Sequence, residues 1–211
     1  MSSNVPTPIR VASFFIACVA AYCVAHAAGS GPIIVLGDSL SSGYGLSRDD
    51  QSWVALLQQR LRGEGYGHEV VNASISGDTT SGGLARLPAL LEAHRPSIVI
   101  LELGGNDGLR GQPVASLRGN LQQMIELTLD SGATPILAGM QIPPNYGPAY
   151  AGAFAGTYPE LAAQFDIPLV GFLLEDVALN TELMQSDGIH PNAGGNAVIL
   201  DNVWPVLADL L

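Results

Sequence analysis

The 211-residue chain contains no lysine, so all eight of its basic residues are arginine. A Schiff-base lysine and the lysine of a phosphate-binding loop are thereby excluded. Cysteine is almost as scarce. The only two, Cys18 and Cys23, lie in an apolar N-terminal stretch. If that stretch is removed, the remaining chain has neither disulfide nor thiol chemistry. Charged residues make up only 13%, and they are one-sided: 8 Arg against 19 Asp+Glu gives a net charge of −11. Such a chain lacks the basic footprint of a nucleic-acid binder and has no attraction for anionic lipid. Histidine is sparse as well, and His68 and His94 have no metal-ligand spacing, so no metal is expected.

Hydrophobic residues make up 47%, which excludes a disordered chain, and 211 residues suffice for one well-buried domain. The 25 glycines and 14 prolines are dispersed as turn punctuation. Arg10 precedes an apolar run, Val11 to Val24, that is short for a bilayer span, and Ala25-His26-Ala27 follows as a small-x-small site. Residues 1–27 are therefore expected to be an export signal, cleaved after Ala27 or Ala28. Residues 28–211 are expected to form one periplasmic or secreted domain of charge −12, because Arg10 is lost. No membrane insertion of that domain is expected. Phe15-Ile16-Ala17 is a poor lipobox for Cys18.

Apolar runs alternate with helix-period segments. Strands are expected at Ile33–Leu36, Glu69–Asn72, Ser97–Leu103, Pro135–Ala138 and Pro168–Phe172. Helical stripes run through Trp53–Leu61, Leu84–Leu91, Leu117–Ile125 and Tyr158–Phe165. A last helix should start after Pro191, with Pro205 kinking or ending it. Alternation of this kind predicts an α/β fold with a parallel sheet covered on both faces. Ligands of such sheets bind at the carboxyl ends of the strands.

Four polar clusters fall at strand ends or near the chain's end. Gly37-Asp38-Ser39-Leu40-Ser41 follows the first strand, where a serine would project its hydroxyl above the sheet. Ser76-Gly77-Asp78-Thr79 follows the second, and its glycine lets backbone N–H approach a ligand. Gly104-Gly105-Asn106-Asp107 follows the third, and the Asn106 amide could donate to an oxyanion. In Asp187-Gly188-Ile189-His190-Pro191, the aspartate could bond one imidazole nitrogen and leave the other to accept a proton. Singly, each of the first three reads at least as well as a turn or a helix cap. Jointly they supply nucleophile, base, orienting acid and oxyanion donors, in the order Ser, Asp, His.

These blocks resemble those of the SGNH (GDSL-type) hydrolases. Val71–Thr79, Gly83–Pro88 and Glu102–Gly111 are most similar to the bacterial periplasmic multifunctional branch, known as acyl-CoA thioesterase I, lysophospholipase and arylesterase. The resemblance implies a three-layer flavodoxin-like fold with a central parallel five-stranded sheet. It implies Ser39 as nucleophile, His190 as base and Asp187 as orienting acid. It also implies an oxyanion hole from the Ser39 N–H, Gly77 N–H and Asn106 side chain, with no cofactor. The expected activity is hydrolysis of small-molecule acyl esters and thioesters by a monomer, with Leu109, Ile142 and Pro143 against the acyl chain. Two alternatives stay open. One is a carbohydrate O-deacetylase, which would favour aromatic sugar platforms, although aromatics are only 6%. The other is a non-catalytic binding module. Gly194-Gly195 and Pro205 make an irregular last helix the one expected departure from the family.

Overall fold

Runs of β-branched and leucine side chains buried on both faces form the central strands. The computed structural model describes Met1 and residues 31–211, so the expected export signal lies outside the described residues. The strands are β1 (Ile33–Gly37), β2 (Val70–Asn72), β3 (Ile98–Glu102), β4 (Thr134–Ala138) and β5 (Leu169–Val170). All pair in parallel, in the order β2-β1-β3-β4-β5. Every residue of β1 and β3 is buried, as a sheet covered on both faces requires.

The helices are α1 (Ser39–Ser42), α2 (Trp53–Gly63), α3 (Thr80–His94), α4 (Gly105–Leu109), α5 (Val114–Asp130), α6 (Pro148–Phe165) and α7 (Ala193–Ala208). Contacts of α3 with α5 and of α5 with α6 form one layer, and α2 packs on α7 in the other. The strand order reverses between β1 and β3, and a doubly wound sheet opens a crevice at the carboxyl ends of such a pair. Ser39 follows β1 and Asn106 follows β3, so both border that crevice.

Two expectations need correction. Pro168–Phe172 contributes only Leu169–Val170 to the sheet. In addition, Pro205 does not end α7, which continues to Ala208. Its two glycines are regular first-turn residues, because the Asn192 side chain accepts from both Gly194 N–H and Gly195 N–H. A Cβ on Gly195 would collide with the Leu183 carbonyl, so glycine there permits close packing.

Gly139 serves the opposite sheet edge in the same way. It donates to Val170 O (2.8 Å) and accepts from Leu173 N (2.9 Å), and a Cβ would run into the Gly171 backbone. Gly139→Ala is expected to lower unfolding free energy by about 1–3 kcal/mol, the usual cost of overpacking. An unchanged urea midpoint at constant m-value would show that β4 and β5 stand further apart than described.

Candidate active site

The turn after β1 is built by side chains. Asp38 caps α1, its Oδ1 accepting from Leu40 N–H at 3.0 Å. Glu102, the last residue of β3, accepts from Asp38 N–H (3.1 Å) and from the Ser41 hydroxyl (2.5 Å) through one oxygen, Oε2. The Trp53 indole N–H donates to Ser41 Oγ at 3.2 Å. Asp38, Ser41, Trp53 and Glu102 are all buried. They leave Ser39 at the first position of α1, where a helix N–H has no intrahelical acceptor.

His190 reaches Ser39 from the last loop. The Ser39 Oγ to His190 Nε2 distance is 2.9 Å, and His190 Nδ1 lies 2.7 Å from Asp187 Oδ2. In the neutral tautomer this geometry favours, Nδ1–H donates to the carboxylate and the serine hydroxyl donates to Nε2. The other oxygen, Asp187 Oδ1, accepts from Ile189 N–H (2.9 Å) and His190 N–H (3.0 Å). Tyr44 lays its ring against the imidazole at 4.5 Å between centroids.

The second and third blocks meet across β1. Asn106 Nδ2–H donates to Asp38 Oδ2 at 2.9 Å, which leaves its second amide hydrogen free. Buried Asp107 accepts from Thr80 N–H (2.9 Å) and the Thr80 hydroxyl (2.6 Å), tying α4 to the start of α3. Gly77 has φ +80°, a left-handed conformation that favours glycine, and its carbonyl accepts from Arg110 Nη2–H at 2.9 Å. Arg86 holds the same loop through Asp78 (2.6 Å) and the Ala73 carbonyl (2.7 Å). Among the described residues, neither the Ser39 nor the Gly77 N–H enters a hydrogen bond within the protein.

Of the residues expected against an acyl chain, Leu109 and Pro143 are exposed, whereas Ile142 is buried beneath Gly108. Sequence reasoning passed over Glu102, Ser41, Thr80 and Tyr44. Only Glu102 carried a signal, as a lone charge ending the apolar run Ile98–Leu101. Among the described residues, no group of three or more His, Cys, Asp or Glu side chains is arranged to hold a metal ion.

Electrostatics separates the two aspartates. Hydrogen bonds from the His190 N–H, the His190 ring and Ile189 N–H hold Asp187 down at about 2. Burial raises Asp38 to about 6, against hydrogen bonds from Leu40 N–H and Asn106. Burial and the neighbouring Asp38 push Glu102 well above its ordinary carboxyl range. The signs differ. Asp187 contributes stability above its unfolded value near 3.8, which is lost as pH falls through about 2. Asp38, with a raised folded value, costs stability progressively as pH rises from its unfolded value near 3.8, and the full cost is present above about 6. A ¹³C carboxyl titration should give Asp187 a midpoint near 2 and Asp38 one near 6. Coincident midpoints near 4 would contradict the two environments.

Residues 35–198 match the model of the GDSL-like Lipase/Acylhydrolase family. The chain is 50% identical over 194 residues to "Esterase TesA" of Pseudomonas aeruginosa, covering 92% of this chain and 96% of that one. It is 46% identical over 176 residues to "Thioesterase 1/protease 1/lysophospholipase L1" of Escherichia coli K12, covering 83% of each. The fold superposes with a TM-score of 0.81 on the psychrotrophic esterase EstA from Pseudoalteromonas, solved inhibited by monoethylphosphonate. That structure is 38% identical, with 85% of this chain and 98% of that one covered.

Proposed function

The chain belongs to the GDSL-like lipase/acylhydrolase family, and from that premise we propose that it cleaves acyl esters and thioesters through an acyl-enzyme on Ser39. It is an ester-cleaving hydrolase. The observation that carries the serine mechanism is the unbroken chain Ser39 Oγ, His190 Nε2, His190 Nδ1, Asp187 Oδ2, with links of 2.9 and 2.7 Å.

Ser39 Oγ attacks the acyl carbonyl while its proton passes to His190 Nε2, and Asp187 offsets the imidazolium charge. The carbonyl oxygen becomes an oxyanion facing the Ser39 N–H, Gly77 N–H and the free hydrogen of Asn106 Nδ2. Collapse re-forms the carbonyl and breaks the bond to the alcohol or thiol, which leaves with the proton from His190. Water then enters, gives a proton to His190 and releases the acid, and Ser39 recovers its hydrogen. Each oxyanion donor is worth about 10²–10³ in turnover.

The acyl chain would lie against exposed Leu109 and Pro143, backed by Ile142. Each methylene buried there adds about 0.8 kcal/mol of binding. Ser39→Ala should abolish hydrolysis without lowering the unfolding midpoint. In the wild type, kcat/KM should rise with chain length across nitrophenyl esters and acyl thioesters, then level off. Near-normal activity in Ser39→Ala would remove the serine mechanism. A profile confined to acetyl groups, with an acetylated sugar as best substrate, would replace the acyl-chain reading with sugar deacetylation.

We also propose that residues 1–27 direct export and are removed. No helix among the described residues is long and apolar enough to cross a membrane. The intact mass of protein from a periplasmic fraction should correspond to a chain starting at Ala28 or Gly29. The full-length mass, found only in the cytoplasm, would overturn export.

A further inference from the structure

Asp38 directly precedes the proposed nucleophile, yet its carboxylate touches neither Ser39 Oγ nor His190 by any hydrogen bond in the described structure. Its two oxygens are engaged elsewhere. Oδ1 accepts from Leu40 N–H in α1, and Oδ2 accepts from Asn106 Nδ2–H in α4. One side chain thus bridges the turn that carries Ser39 and the turn that carries the amide, across neighbouring strands β1 and β3.

We propose that Asp38 is a positioning residue that holds the Asn106 amide at the oxyanion site, and that it does so only as a carboxylate. The inference rests on the serine mechanism above. An amide nitrogen has two hydrogens, and binding one to Asp38 fixes the direction of the other. Because both Asp38 oxygens face donors, no neutral replacement satisfies both. An asparagine would turn its own NH₂ toward either Leu40 N–H or Asn106 Nδ2. A protonated Asp38 would likewise set an O–H against a donor. The bridge is held in place, since Asp38 N–H is itself bound to Glu102.

The charges around Asp38 are few. Glu102 faces it from β3, Asp78 from the loop before α3 and His190 from the last loop, and Tyr158 in α6 senses the same charge. Burial and the neighbouring Asp38 raise Glu102 well above its ordinary range, and Asp78 is paired with Arg86 at 2.6 Å. Asp38 is then the carboxyl near Asn106 whose charge changes close to neutral pH, with its midpoint raised by burial to about 6.

The experiment compares wild type, Asp38→Asn, Asn106→Ala and the double variant, with Ser39→Ala as reference. Asp38→Asn should lower kcat by about tenfold to hundredfold, the scale of a 1 Å misplacement, while KM changes little. In the Asn106→Ala background the same change should cost less than about threefold, because the group it positions is gone. The acid limb of the wild-type kcat/KM profile should fall more steeply around pH 6 than that of Asn106→Ala. This last comparison needs no Asp38 variant, so it decides the matter even if Asp38→Asn does not fold. Additive effects of the two substitutions, or identical acid limbs in wild type and Asn106→Ala, would overturn the positioning role. Active Ser39→Ala would instead overturn the mechanism beneath it.

Discussion

One hydrogen bond, from Ser39 to His190 across 151 residues of chain, sets the demands on everything else. Its first end sits on the turn directly after a buried strand. Its second end sits on an irregular exposed loop, which by itself would not hold an imidazole to a few tenths of an ångström. The loop is therefore fixed from several sides. Met184 and Pro191 form an antiparallel bridge. The Gln185 amide donates to the carbonyls of Tyr44 and Pro191, linking the loop to the turn after α1. Asn196 in α7 accepts from Trp53 N–H and donates to the Pro191 carbonyl, so the starts of α2 and α7 share one buried amide. Trp53 in turn touches Ser41, two residues from the serine. The two ends of the chain are thus joined behind the site as well as within it.

Behind the site lies a polar layer inside an apolar fold. Glu102, Asp38, Asp107, Thr80 and Ser41 are buried at the carboxyl ends of strands or the starts of helices. These are the places where a parallel sheet leaves turn N–H groups without ladder partners. Each acid there accepts from a backbone N–H: Glu102 from Asp38, Asp38 from Leu40, Asp107 from Thr80. The layer supplies in side chains the order that regular secondary structure no longer provides. Its residual cost is visible in Glu102 Oε1, which is buried without a partner.

Much of this was legible from residue patterns, and the reasons differ by element. The five strands showed themselves because burial on both faces writes continuous apolar runs, and their parallel pairing followed from the helical stripes between them. Pro168–Phe172 was overread because an edge strand needs pairing on one side only, and the chain leaves the sheet after Val170. The continuity of α7 was missed because glycine and proline were weighed by intrinsic propensity. Packing decided instead: only glycine fits beside the Leu183 carbonyl. Ser39, Asp187 and His190, which the motifs pointed to, do lie together. Asp107 stayed unread as a support because a buried acid and a surface acid look alike in sequence, whereas Glu102 gave only the hint of a lone charge at the end of an apolar run. Tyr44 gave no sign, since its tilted ring contact with His190 depends on a loop far along the chain.

Two aspartates border the same serine, and their surroundings explain why they are suited to different work. Asp187 is exposed and receives three hydrogen bonds, which outweigh the modest desolvation and hold its carboxyl down at about 2. A carboxylate that must offset a positive charge forming on an imidazole has to be ionised before the proton arrives, and Asp187 meets that requirement. Asp38 receives fewer bonds and is nearly fully buried, so desolvation outweighs them. Its negative charge would be a poor partner for a transient cation, because that charge is itself marginal near neutrality. It suits a fixed geometric task toward the neutral donors that face both its oxygens. Where environments drive two like groups apart in this way, their separate roles follow from the environments.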